Sequence, residues 1–222
     1  MHLRLNNRWR PGTGKALLAA LTAVFLSAGA FAQTTTPDSE AVEQNKVNVV
    51  LKVNTVTLPL LVANFGVEIQ PLDHWSVNLP VYYSGLDWFS ETVKFRMLGV
   101  QPEVRYWLRP GFHGLFFNAH ATFSYYNIAW GGDYRYQDHA RKTPVFGGGL
   151  GIGYKTNLSE DGTSPWGIEF GIGGGVLPLH YDYYYNIHNG RLAGEDTHTY
   201  WGPDQAFVSF TYQIGQAKKS RK

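Results

Sequence analysis

Apolar and polar residues alternate with a period of two along most of the chain, the spacing that sends successive side chains to opposite faces of a strand. The first run sets Val47, Val49, Leu51 and Val53 against Asn48, Val50, Lys52 and Asn54. Phe65, Val67 and Ile69 oppose Asn64, Gly66 and Glu68, and Trp75, Val77, Leu79, Val81 and Tyr83 oppose Ser76, Asn78 and Tyr82. A fourth run places Leu98, Val100, Val104 and Tyr106 opposite Gly99, Gln101, Glu103 and Arg105. In the fifth, Phe117, Ala119, Ala121, Phe123 and Tyr125 oppose Asn118, His120, Thr122 and Ser124. Leu150, Ile152 and Tyr154 then face away from Gly149, Gly151 and Gly153, and Trp166, Ile168, Phe170, Ile172 and Val176 from Gly167, Glu169, Gly171 and Gly173. The last run sets Ala206, Val208, Phe210 and Tyr212 against Phe207, Ser209, Thr211 and Gln213. These runs predict eight strands, with Pro80 and Pro102 marking points where a ladder bond is lost.

The segments between runs alternate in length. Longer ones fall at about 55–62, 84–96, 127–144 and 177–204, and shorter ones at Pro71–His74, Arg109–Gly114 and Asn157–Pro165. Outer-membrane barrels show this asymmetry between external loops and periplasmic turns. Aromatic residues gather where runs end: Trp75, Trp107, Phe112 and Trp166 at one rim, Trp88, Phe89, Trp130, Tyr134 and Trp201 at or above the other. Two aromatic girdles are expected where a barrel wall meets the two membrane interfaces.

Alternation alone does not say which row faces out, since a soluble lipocalin-like barrel alternates equally well. Charge density decides. A solvated face carries roughly 25–35% charged residues, yet the polar row holds only Lys52, Glu68, Glu103, Arg105 and Glu169 among many Gly, Asn, Ser and Thr. The apolar row holds no charge, which suits lipid, where a midplane Arg or Lys costs about 2–4 kcal/mol. The pattern therefore predicts an all-β fold, an eight-stranded antiparallel up-and-down transmembrane β-barrel over residues 46–214. Buried charges have to be paired, so Glu68, Glu103 and Glu169, which fall in the same half of the lumen as Arg105, are expected to cluster around it as a structural plug; Lys52 is the fifth lumen charge, and Lys155 joins at a strand end.

The ends of the chain change the picture of where it goes. Arg4 to Lys15 form a basic region, Ala16 to Gly29 an apolar stretch and Ala30-Phe31-Ala32 a small-x-small site, a signal-peptide pattern cut after Ala32. Residues 33–45 are polar, contain Pro37 and read as a flexible linker. The formal net charge of +2 misleads. Arg4, Arg8, Arg10 and Lys15 belong to the leader and Lys218, Lys219, Arg221 and Lys222 to a basic tail over 215–222, which leaves an acidic body and no nucleic-acid partner. With no Cys there is no disulfide, thiolate metal site, Cys nucleophile or lipidated N-terminus.

Candidate chemistry is sparse. The 177–204 segment holds His180, Asp182, His188, Glu195, Asp196 and His198, types that suit a metal site or an acid/base pair. Their spacing matches no ligand motif, so a hydrated polar loop is expected, with no catalytic residue, metal or cofactor. His120, on the lumen row, reads as a packed, hydrogen-bonded residue. Gly147 to Gly153 superficially suggests a phosphate cradle, but that fingerprint needs a following helix, and Tyr154 continues a strand. Trp130, Tyr134, Tyr181, Tyr183, Tyr184, Tyr185 and Trp201 suit contact with sugars, lipopolysaccharide or a protein partner, and equally an interfacial belt.

Several segments in order carry a resemblance: Lys52-Val53-Asn54, Asn64-Phe65-Gly66-Val67-Glu68, Pro102-Glu103-Val104-Arg105-Tyr106-Trp107, Tyr125-Tyr126-Asn127 and Tyr200-Trp201-Gly202-Pro203. Over residues 46–214 the chain resembles an uncharacterised, domain-of-unknown-function family of exported proteins from Gram-negative anaerobes, often encoded beside fimbrillin-type adhesin genes. The resemblance implies a small outer-membrane barrel linked to fimbriae or other surface structures, and offers no catalytic residues. The expected function is non-enzymatic: external loops for surface binding or appendage assembly, with outer-membrane lipid, lipopolysaccharide and a surface protein, fimbrial or glycan partner. The alternatives are an outer-membrane lipid-modifying enzyme and a soluble periplasmic carrier of apolar ligands.

Overall fold

The computed structural model describes residues 48–85, 92–159 and 164–214. The expected leader, linker and basic tail, with Trp88 and Phe89, lie outside these residues. Ten strands form one antiparallel sheet: β1 (Asn48–Asn54), β2 (Ala63–Leu72), β3 (Trp75–Ser84), β4 (Val93–Val100), β5 (Glu103–Trp107), β6 (Gly114–Trp130), β7 (Tyr134–Asp138), β8 (Val145–Asn157), β9 (Trp166–Tyr185) and β10 (Leu192–Ile214). The last strand returns to the first, with Val49 opposite Ile214 and Asn54 opposite Ser209, so the hydrogen bonding closes into a ring. Closure leaves no long sheet edge to template aggregation.

Ten strands stand where eight are predicted, because two runs are interrupted. β4 and β5 share β3 and β6 as neighbours. They part at Gln101-Pro102, where Pro102 has no N–H to give. The Gln101 amide still donates to the Pro80 carbonyl at 3.1 Å, and the Pro102 carbonyl accepts from Ala121 at 3.0 Å, so the sheet stays continuous. β7 and β8 likewise share β6 and β9. Between them lies a 3-10 turn, His139–Arg141, in which Ala140 and Arg141 take positive φ of 51° and 55°.

Three expected loops prove shorter. Most of 177–204 is a paired hairpin, in register from Val176 opposite Trp201 to Tyr183 opposite Gly194, with a one-residue shift before Tyr184 opposite Leu192. The 127–144 segment contains the end of β6 and all of β7, and 84–96 contains the start of β4. Tyrosines and threonines favour strands. Where polar side chains occupy both faces, however, no apolar row remains to reveal the alternation.

The two rows separate as charge density requires. Lys52, Asn64, Glu68, Ser76, Glu103, Arg105, Asn118, Lys155, Glu169 and Thr211 are buried inside the ring, whereas Phe65, Trp75, Val77, Phe117, Leu150, Ile172 and Phe210 are exposed. This inverts the usual arrangement of a water-soluble protein. The buried apolar cluster is small: Val50, Trp107, Phe112, Phe116 and Phe207. Trp107 and Phe112 thus point inward, not into the rim girdle the sequence suggests. Trp107 sits two residues beyond Arg105 on the inward row, and Phe112 reaches inside from a turn at a positive φ of 60°.

Glycine makes room for these rings. Gly153 lies opposite Gly171 across β8 and β9. A Cβ on Gly153 would come within 2.4 Å of the Phe116 ring, and one on Gly171 within 2.4 Å of the Phe207 ring. Gly171→Ala or Gly153→Ala should therefore overpack the interior and cost about 1–3 kcal/mol. A urea midpoint unchanged in both variants would contradict this packing.

Candidate functional site

The interior of the ring is organised around one cation. Arg105 on β5 donates from Nε to Glu103 at 2.7 Å and from Nη1 to Glu169 at 2.8 Å and Glu68 at 3.4 Å. A planar guanidinium with five donors can serve three carboxylates at once, which an ammonium on one stem does less well. Lys52 supplies the second cation: its Nζ lies 2.6 Å from Glu169 and also pairs with Glu68. Ser76 donates its hydroxyl to Glu68 and accepts the Trp107 indole N–H at 2.8 Å. The guanidinium stacks over Phe116, 4.5 Å from the ring centroid, a cation–π contact that ties the charges to the apolar cluster.

A polar layer continues from there. Gln205 donates to Glu103 at 2.8 Å and accepts from Asn118 at 3.0 Å. His120 bonds Asn118 through Nδ1 at 3.1 Å and Asp204 through Nε2 at 2.9 Å, so it is a packed, hydrogen-bonded residue. Asp204 and Gln205 both point inward because β10 carries a bulge between Pro203 and Gln205. A bulge turns two consecutive side chains to one face. Strict alternation therefore misses Asp204, while Gln205 keeps the parity of Phe207 and Ser209.

Lys155, opposite Glu169 in the ladder, completes a set of three bases and three acids. Its Nζ lies 5.0 Å from the Phe112 ring centroid and has no hydrogen-bond partner among the described residues. The remaining space beside Lys52, Arg105 and Glu169 is a void of about 20 Å³, room for about one water. Apart from Lys155, the cations of this network are committed to carboxylates on other strands, which ties the ring together.

A second cluster occupies the far end of the hairpins. Asn186 donates its side-chain amide to the Thr92 and Gly132 carbonyls at 2.8 and 2.9 Å, stapling three segments together. Tyr134 packs edge-on against Tyr183 at 5.4 Å and tilted against Tyr185 at 5.7 Å, and Tyr136 lies 5.8 Å from Tyr181. Along β9, Tyr181, Tyr183 and Tyr185 have the parity of Glu169 and Gly171, so this tyrosine shelf continues the inward row above the ring. Tyr184 is on the other face, beneath the Arg135 guanidinium at 4.7 Å.

That other face holds His139, His180, Asp182 and Glu195. His139 Nδ1 is 2.7 Å from Asp182, and the Ala140 amide donates to the same carboxylate at 3.0 Å. Burial raises the Asp182 pKa, but these two hydrogen bonds and the nearby imidazole outweigh it and hold the carboxyl below its ordinary range.

The comparisons with known proteins become informative at this point. The model of a family described as a protein of unknown function (DUF3575) matches residues 23–214. The chain belongs to the DUF3575 family. No curated protein and no solved structure matches it. The family match encloses all ten strands of this DUF3575 chain, including the motifs over 46–214 that carry the resemblance seen in the sequence.

The structure thus gathers Lys52, Glu68, Glu103, Arg105 and Glu169 into one network, and Tyr134, Tyr181, Tyr183 and Tyr185 into one shelf. It does not bring Trp130 and Trp201 to that shelf. Trp130 is exposed at the end of β6, and Trp201 is exposed on the outward row of β10 opposite Val176. Asp204 and His139 are the participants that period-two reading does not find, whereas Trp107 and Gln205 keep the inward parity of Arg105 and Phe207.

Arg105→Met should leave Glu103 without a cation and Glu68 and Glu169 sharing Lys52, and lower the unfolding free energy by about 3–5 kcal/mol, read from denaturant midpoints of the folded chain. Asp182 gives a pH signature. Its folded pKa lies below the ordinary 3.8, so the stability it contributes is present above that pH and is lost as pH falls further. The Ala140 amide resonance should titrate below pH 3.8, and Asp182→Asn should abolish that titration.

Proposed function

We propose that this DUF3575 chain is a non-enzymatic outer-membrane protein of Gram-negative cells. In this reading its ten strands fill eight positions of a transmembrane β-barrel, since β4/β5 and β7/β8 each share a pair of neighbours. The observation that carries the reading is the inverted wall. Among the described residues, no outward position between the Trp75, Trp166 and Tyr212 rim and the Tyr83, Phe146 and Trp201 rim carries a charge, while the interior carries seven with Asp204 counted. An exposed belt of this kind is costly against water and favourable against acyl chains.

Strand length supports the same placement. About 9–11 residues tilted near 45° cross a bilayer, and the outward run from Trp166 to Val176 has this length. Aromatic pairs lie where interfaces would fall: Trp166 with Tyr212 at 4.9 Å and Trp75 with Tyr106 at 5.0 Å on one side, Phe123 with Phe146 at 4.8 Å on the other. A leader over residues 1–32, removed after Ala32, supplies the export route. A carrier of apolar ligands would need a greasy cavity, and the charged, filled interior argues against one.

The wall in this reading is a scaffold. What it displays is the β6–β7 and β9–β10 extension with its tyrosine shelf, a rigid aromatic surface of the kind that contacts glycans, lipopolysaccharide headgroups or a surface protein such as a fimbrial subunit. After carbonate washing the chain should stay in the membrane pellet and migrate faster unheated than heated on a detergent gel. Trypsin added to intact cells should cut at Arg191 in the turn between β9 and β10. Recovery in the soluble fraction would overturn the reading, and a steady large conductance in planar bilayers would overturn the closed interior.

A further inference from the structure

Opposite the tyrosine shelf, three segments bring metal-binding side chains together. His139 comes from the 3-10 turn between β7 and β8, His180 from β9, and Glu195 from β10, where it lies opposite Asp182 in the ladder. One donor atom of each lies within 4.8 Å of the others. The two imidazoles are stacked, with centroids 3.9 Å apart and planes within 12°. We propose that His139, His180 and Glu195 bind a divalent transition-metal ion of the zinc class, with Asp182 as the positioning residue.

The positioning is the most specific part of the geometry. Asp182 is buried, held by the Ala140 amide at 3.0 Å and the Tyr184 hydroxyl at 3.4 Å, and it faces His139 Nδ1 at 2.7 Å. A carboxylate that accepts from Nδ1–H fixes the tautomer and leaves the Nε2 lone pair free. Metal-ligating histidines are oriented in this way. The ligand set selects the ion. Two imidazole nitrogens and one carboxylate suit Zn²⁺, Cu²⁺ or Ni²⁺, whereas Ca²⁺ and Mg²⁺ prefer an all-oxygen shell.

Zinc bonds of about 2.0–2.2 Å put two ligands of a tetrahedral ion about 3.3 Å apart. Glu195, whose side chain is 66% exposed, is free to swing to the Nε2 side of His139; in the structure its carboxylate lies 3.5 Å from Nδ1, the nitrogen committed to Asp182. Three protein ligands leave one position for water or a donor from a partner. The ion would tie the break between β7 and β8 to the β9–β10 hairpin, ordering the segment beside the tyrosine shelf.

The test does not depend on the membrane placement. The tag-free full chain, refolded in detergent and freed of metal, is titrated with Zn²⁺ by calorimetry and with Co²⁺ by visible absorption. One saturable ion per chain is expected. His180→Ala and Glu195→Ala should each weaken binding at least about tenfold, and Asp182→Asn should weaken it by about 10–100-fold. His188→Ala, in the adjacent turn, should leave affinity unchanged, and far-UV circular dichroism verifies that each variant is folded. Absence of saturable binding in the wild type would overturn the proposal, as would binding that survives His180→Ala unchanged or falls equally with His188→Ala.

Discussion

An arginine side chain buried inside a ring of strands sets the terms for everything around it. Arg105 cannot sit in a low-dielectric centre alone, because desolvating a charge costs several kcal/mol unless opposite charges and hydrogen bonds replace the water. Glu68, Glu103 and Glu169 supply the opposite charge from three different strands, β2, β5 and β9. Those acids would in turn leave an excess of negative charge, which Lys52 and Lys155 offset from β1 and β8. The network is thus a set of long-range ties, and it can form only when the ring has closed.

The shape of the interior follows from the same demand. Phe116 and Phe207 lie against the guanidinium, and they fit only because glycines face them on β8 and β9. Trp107, expected at a rim as an interfacial aromatic, lies on the inward row, where its indole N–H completes Ser76 and, through it, Glu68. A glycine-rich stretch that superficially suggests a nucleotide cradle is instead the thin side of a crowded interior. Large and small residues across from each other fill the narrow space, as close packing requires.

Irregularities in the sheet lie at the points where the interior gives way to displayed structure. At the break at Pro102, Gln101 keeps the inward row of Glu103 and Arg105, where its side chain meets Thr122 at 3.1 Å. The bulge on β10 adds Asp204 to the partners of His120. Beyond it, the break between β7 and β8 swings His139 over β9 and creates a face chemically unlike the rest of the molecule. Below these points the chain satisfies its own charges. Above them, the tyrosines and the histidine pair are held in fixed positions with open sides.

Much of this was legible without coordinates. Period-two alternation located the runs, and the scarcity of charge on one row and its absence from the other identified which row is inward. The named charges Lys52, Glu68, Glu103, Arg105 and Glu169 followed from that assignment, since charges confined to a narrow interior have few partners but one another. The sequence did not reveal Asp204 or the long β9–β10 hairpin, because a bulge shifts the phase and a doubly solvated hairpin has no apolar row. Nor did it pair His139 with His180, which are distant in the chain. Their meeting depends on where a broken strand folds over its neighbour, and only the closed ring, with its register fixed by pairing all the way round, decides that.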